Sequence, residues 1–92
     1  MAIIVKRKGH IERFDAKKVY GSVYSACASA DYPEKECEQI ADEMIKVVKK
    51  FLKEKKEIES SKIRQKIVVE LKKRDKELAH YYEQFIPNLK KL

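Results

Sequence analysis

The opening stretch, Ala2-Ile3-Ile4-Val5-Lys6-Arg7 followed by Lys8-Gly9 and then His10-Ile11-Glu12-Arg13-Phe14, runs directly into Asp15-Ala16-Lys17-Lys18-Val19. Two β-favouring runs separated by two residues, the second a glycine, predict a hairpin, because that turn position calls for φ > 0. Asp15 then stands where a helix would begin, with a side chain suited to capping its first N–H groups. Cations on a hairpin beside a helix N-terminus make a sensible phosphate site, since fixed charge and helix dipole both favour an anion.

Beyond the hairpin the apolar pattern is helical. Val19, Val23, Cys27 and Ala30 recur at spacings of four, four and three, predicting a helix over about 16–30. Tyr32-Pro33 interrupts it, and Pro33 with Glu34, Glu36 and Glu38 suits the first turn of a second helix. Cys37, Ile40, Ala41, Met44, Val47, Val48 and Phe51 extend that helix over about 34–53, with lysines gathered at its C-terminal end. Lys55–Glu59 holds one isolated apolar residue and reads as an extended connector or a short third strand. Ser60 or Ser61 is expected to cap a third helix, about 61–73, carrying Ile63, Ile67, Val68 and Leu71. Asp75 restarts the pattern for a fourth, about 76–86, with Leu78, Ala79, Tyr82, Phe85 and Ile86, ended by Pro87. The fold expected is α+β and mostly helical: a four-helix bundle covered by a small β-hairpin or a three-stranded lid over residues 2–14.

Ninety-two residues suffice for one hydrophobic core, and 43% hydrophobic with 40% charged residues describes a folded chain with a dense surface charge. No run approaches the roughly 18–20 apolar residues of a spanning helix, and no secretory signal pattern opens the chain, so a cytoplasmic location away from membranes is expected. Cys27 and Cys37 lack metal-ligand spacing and companions, and are expected in the core as free thiols. The net charge of +7 is unevenly spread: six Lys/Arg against two acids in residues 1–20, one against six in 21–45, and fifteen against seven in 46–92. Such a balance admits a small basic nucleic-acid-binding protein as the alternative function, although no aromatic platform or helix-turn-helix accompanies it.

Catalytic patterns are missing. There is no Walker loop or GxGxxG, and two glycines cannot build a glycine-rich phosphate cradle. His10 and His80 have no nucleophile at a recognisable spacing. The chain is expected not to be an enzyme.

Val5-Lys6-Arg7-Lys8-Gly9, then Glu12-Arg13-Phe14-Asp15, then Lys18-Val19, resembles the opening of an ATP-cone domain, and the spacing from Lys6 through Lys18 is kept without insertion or deletion. Glu57-Ile58-Glu59-Ser60-Ser61-Lys62-Ile63 is similar to that family's third strand and Ser/Thr helix start. The last helix is similar to its aromatic, alanine-containing closing helix. The resemblance implies a regulatory module that binds ATP or dATP, with Mg²⁺, between lid and bundle. Such a module would control the assembly or activity of a partner: a homo-oligomer, or a protein related to ribonucleotide reductase. By matching positions it implies Lys6 and Arg7 at phosphates or ribose, Lys18 at phosphate, and Glu12, Phe14 and Asp15 around the sugar and base edge. Val5, Val19 and Ile63 would lie against adenine and Ser60 would be a polar partner. Arg64 stands where many members carry a smaller or imidazole-bearing residue, and would either pair with phosphate or partly fill the pocket. The closing helix, Ala79-His80-Tyr81-Tyr82, lacks the family's frequent arginine. With neither a zinc ribbon before it nor a catalytic domain after it, the expectation is a free-standing cone or an excised piece.

Overall fold

The lid is a mixed sheet, which a simple hairpin would not have produced. In the computed structural model, which describes residues 4–7 and 9–90, strands β1 (Ile4–Arg7) and β2 (His10–Arg13) form the hairpin. They pair antiparallel, with Val5 opposite Glu12 and Arg7 opposite His10. Gly9 sits in the turn at φ 84°, a conformation glycine adopts without a Cβ penalty. Strand β3 (Glu57–Glu59) lies on the other side of β1 and parallel to it, with Val5 opposite Ile58, giving the order β2-β1-β3. A parallel partner needs a long crossover, and the first two helices supply it.

Four helices follow the apolar spacing closely. Helix α1 (Ala16–Ser29) buries Val19, Val23, Ala26 and Cys27, and α2 (Glu34–Leu52) buries Cys37, Ile40, Ala41, Met44, Val48 and Leu52. Helix α3 (Ser60–Arg74) buries Ile63, Ile67 and Leu71, while Leu78, Ala79 and Tyr82 of α4 (Lys76–Lys90) complete the core. Helix α1 packs between α2 and α4, and α3 packs on α4 and α2. Val5 and Ile58, facing inward from adjacent strands, close the core from above. The fold is therefore α+β and mostly helical, a four-helix bundle under a three-stranded lid. Among the described residues no helix is long and apolar enough to cross a membrane, and Cys27 and Cys37 are both free and buried.

Two boundaries differ from the sequence reading. Neither Ser60 nor Ser61 caps α3: the helix starts at Ser60, its cap position is Glu59, and no side chain bonds the first N–H groups there. Ile58 is held in the sheet by its burial, so the chain leaves β3 straight into the helix and the serines fall inside the first turn. Helix α4 does not end at Pro87 but runs to Lys90. Proline removes one ladder hydrogen bond and crowds the preceding turn, yet leaves the N–H groups on either side able to continue. The side chains of 85–90, Phe85 and Ile86 among them, lie outside the described residues.

The other caps are built as their residues suggest. Asp15 accepts a hydrogen bond from the Lys17 N–H at 2.9 Å, and Asp75 accepts one from the Glu77 N–H at 2.9 Å. Helix α1 ends in a Schellman arrangement: the Tyr32 N–H donates to Cys27 O and the Asp31 N–H to Ala28 O, both at 3.1 Å. The left-handed residue it requires is Asp31, at φ 63°.

Candidate functional site

Lid and bundle do not meet everywhere. Between the hairpin and helices α1, α3 and α4 lies a cleft with a cavity of about 150 Å³. The hairpin gives it Val5, Glu12, Arg13 and Phe14; α1 and its cap give Asp15, Lys18, Val19 and Ser22; α3 gives Ser60, Ile63, Arg64 and Ile67; α4 gives Tyr82. Helix α2 contributes nothing to it.

Each contribution follows from local geometry. Strand alternation turns Val5 and its cross-strand neighbour Glu12 to the bundle side. Asp15, Lys18, Val19 and Ser22 are spaced three or four apart and so share a face of α1's first two turns, as Ser60, Ile63, Arg64 and Ile67 do on α3. Val5, Val19, Ile63, Ile67 and Tyr82 are all buried and make an apolar floor. Burial pushes the Tyr82 hydroxyl above its ordinary range, while its hydrogen bond with Ser22 and the nearby Arg64 charge pull the other way.

Charge is confined to the rim. Lys18 Nζ meets Glu12 Oε2 at 3.2 Å across the mouth, both side chains about half exposed or more. Arg64 Nη1 donates to Ser60 Oγ at 3.5 Å. The first N–H groups of α3, uncapped by any side chain, open on the same side as Ser60. An apolar floor with cations and free helix N–H groups only at the mouth can take a molecule that is flat and apolar at one end and anionic at the other.

Of the residues singled out in the sequence, Val5, Glu12, Phe14, Asp15, Lys18, Val19, Ser60, Ile63 and Arg64 are brought together around this cleft. Lys6 is not among its lining. Alternation turns it to the outer face of the lid, where its Nζ pairs with Glu57 Oε2 at 3.1 Å. The Arg7 side chain lies outside the described residues. Four lining residues escaped the sequence reading: Arg13, Ser22, Ile67 and Tyr82. Ile67 and Tyr82 carry a helical apolar period and look like any core residue, which they also are. Ser22 could have been found, being one turn beyond Lys18 and Val19 on the same face.

A lidded helical bundle holding a small apolar cavity with a charged mouth defines a ligand-binding α+β domain. The family model described as the ATP cone domain matches residues 2–85, and the chain belongs to that family. Comparison with curated proteins and with solved structures gave no match. ATP-cone domains are regulatory nucleotide-binding modules, not catalytic ones, and take ATP or dATP as effector.

The cleft was tested against such a ligand. A cavity of about 150 Å³ is the size that accommodates a single ring system; sugar and phosphates would have to leave through the mouth. There they would meet Lys18, Arg64 and the start of α3. Residues and nucleotide therefore fit, provided the base enters first. Among the described residues no group of three His, Cys, Asp or Glu side chains could hold a metal ion. Mg²⁺ bound with a nucleotide would take phosphate oxygens and water as ligands, as that ion prefers.

Proposed function

We propose that the chain senses adenine nucleotide in the lid cleft and through it controls the assembly or activity of a partner related to ribonucleotide reductase. The observation that carries this reading is the division of the cleft into a ring-sized apolar cavity and a cationic mouth. The base lies between Val5, Val19 and Ile63, with Phe14 and Asp15 at its edge and Glu12 beside the sugar. The triphosphate runs outward to Lys18, Arg64 and the N–H groups of α3, with Ser60 at the turn.

Lys6 and Arg7 complete the phosphate shell from the lid. Both Lys6 and Lys18 begin in ion pairs, with Glu57 and Glu12. Exposed pairs of this kind contribute only about 0–1 kcal/mol. A phosphate group carrying more charge can displace either carboxylate at little cost, and Mg²⁺ accompanies the nucleotide without a protein cage. Location in the cytoplasm accords with such an effector.

Calorimetric titration with ATP, dATP and GTP checks the reading. Saturable binding of the adenine nucleotides is expected, weakened about tenfold or more by Lys18→Ala and less by Lys6→Ala, whose side chain starts outside the cleft. No heat at millimolar ATP or dATP would sink it.

A further inference from the structure

Helix α2 stands apart from the cleft, and its outer face has a pattern the nucleotide reading does not use. Glu38, Asp42, Ile45, Lys49 and Lys53 succeed one another at spacings of four, three, four and four, with Lys46 one turn beyond Asp42. These positions form one stripe along the helix. All but Ile45 are exposed, and Ile45 is half-buried. Read along the axis, the stripe is acid, acid, apolar, base, base. The charged members of this stripe make no ion pair among the described residues. Tyr20 and Tyr24 of α1, stacked at 6.1 Å between centroids, lie beside its acidic half: Glu38 and Asp42 push the Tyr20 hydroxyl up after burial does, and Glu34 and Glu38 act likewise on Tyr24.

A stripe whose charges invert about its midpoint is complementary to itself when turned end for end. We infer that this face of α2 binds a second copy of the chain, antiparallel, about a twofold axis beside Ile45. With about 1.5 Å rise per residue, Asp42 then lies level with the stretch holding Lys46 and Lys49 of the second copy. Glu38 lies level with the stretch holding Lys49 and Lys53, and the two Ile45 side chains meet at the axis. The same operation carries the second copy's lysines over Tyr20, whose ring face attracts a cation. Each contact occurs twice, as an isologous interface requires.

Charge complementarity selects this occupant over a nucleic acid, because Glu38 and Asp42 form half of the stripe and would repel a phosphate backbone. The interface is independent of nucleotide binding, since no α2 residue lines the cleft.

The test is a pair of charge-swapped chains, each checked for native helicity by circular dichroism. Lys46→Glu with Lys49→Glu makes the stripe wholly acidic, and Glu38→Lys with Asp42→Lys makes it wholly basic. Sedimentation velocity of the full chain should show wild-type dimer growing with concentration up to about 1 mM. Neither swapped chain should dimerise alone, and their equimolar mixture should form a heterodimer at least tenfold tighter than the wild-type dimer. Wild type remaining monomeric, a swapped chain dimerising alone, or a mixture that stays monomeric would overturn the inference. A labelled 20-mer oligonucleotide supplies the other arm: tight binding by wild type, lost in the acidic variant, would assign the basic half to nucleic acid and overturn it equally.

Discussion

The two flanks of helix α1 are built to opposite ends. Towards α2 the packing is closed: Val23, Ala26 and Cys27 are fully buried, and Cys27 lies against Cys37. Burial, then the neighbouring Cys37, pushes the Cys27 thiol up to about 12, so it stays protonated and unreactive. Towards the lid, the same helix presents Asp15, Lys18, Val19 and Ser22 to a cavity that neither α3 nor α4 fills. Close packing transmits strain and tolerates no loss of volume, whereas a cavity leaves contacts unmade until a ligand supplies them. The domain thus holds its stability on one flank of α1 and keeps its binding capacity on the other.

The largest effects should come from truncating one apolar residue on each flank. Ile40, 2% exposed on α2, is packed on all sides, and Ile40→Ala is expected to cost about 2–5 kcal/mol. Ile63 lines the cavity, so part of its surface has no protein neighbour to lose. Ile63→Ala should fall at or below the lower end of that range. Nucleotide affinity should reverse the order, with Ile63→Ala weakening ATP and folded Ile40→Ala leaving it unchanged. Urea denaturation with parallel titration reads both. Equal stability losses would mean that the lid flank is as closely packed as the other.

The closed flank was the more legible in the sequence. Its residues recur every three or four positions, and burial of one face of a helix leaves little choice of partner, so helices over about 16–30 and 34–53 could be read to within a residue or two of Ala16–Ser29 and Glu34–Leu52. The cleft was legible only where the family resemblance marked it. Ile67 and Tyr82 belong to core and cleft together, and periodicity cannot distinguish a side chain touching its neighbours on every side from one with a void on one side. The parallel pairing of β3 was equally hidden: three residues around Ile58 carry no register, and their place beside Val5 is set by the bundle beneath them. The side of the sheet on which Lys6 lies needed that register as well.

A smaller effect, confined to the extremes of pH, belongs to the contact that ties the two helical pairs together. The Tyr32 hydroxyl, from the α1–α2 connection, donates to Asp75, which also caps α4. This bond, helped by the Glu77 N–H, holds the Asp75 carboxyl below its usual 3.8. The bond and then burial push Tyr32 from 10.0 up to about 12. A depressed acid contributes stability above its unfolded pKa and loses it as pH falls through the folded value; a raised phenol contributes below 10.0 and loses it as pH rises towards 12. Tyr32→Phe should therefore lower stability between those limits and converge with wild type at both ends. Some acid sensitivity remains in the variant, because Asp75 still accepts from Glu77. Denaturation midpoints of the two proteins across pH check it, and a difference that does not shrink below pH 3.8 or above 10.0 would show that the two groups do not interact in solution.

The smallest effect tests whether the closed flank is as well made in its backbone as in its packing. Asp31 occupies the left-handed position that ends α1, at φ 63°. Asp tolerates this conformation better than most residues, but still with a steric penalty that glycine escapes. The Schellman hydrogen bonds come from the backbone N–H groups of Asp31 and Tyr32, and a glycine would keep both. Asp31→Gly should remove the native-state strain while giving some of the gain back through a freer unfolded chain, for a net stabilisation of about 0.5 kcal/mol. It should leave ATP affinity unchanged, since the turn lies at the far end of α1 from Asp15 and Lys18. Thermal denaturation would register the gain as a rise of a few degrees. A fall in stability would mean that the Asp31 carboxylate contributes more at this helix end than its backbone conformation costs.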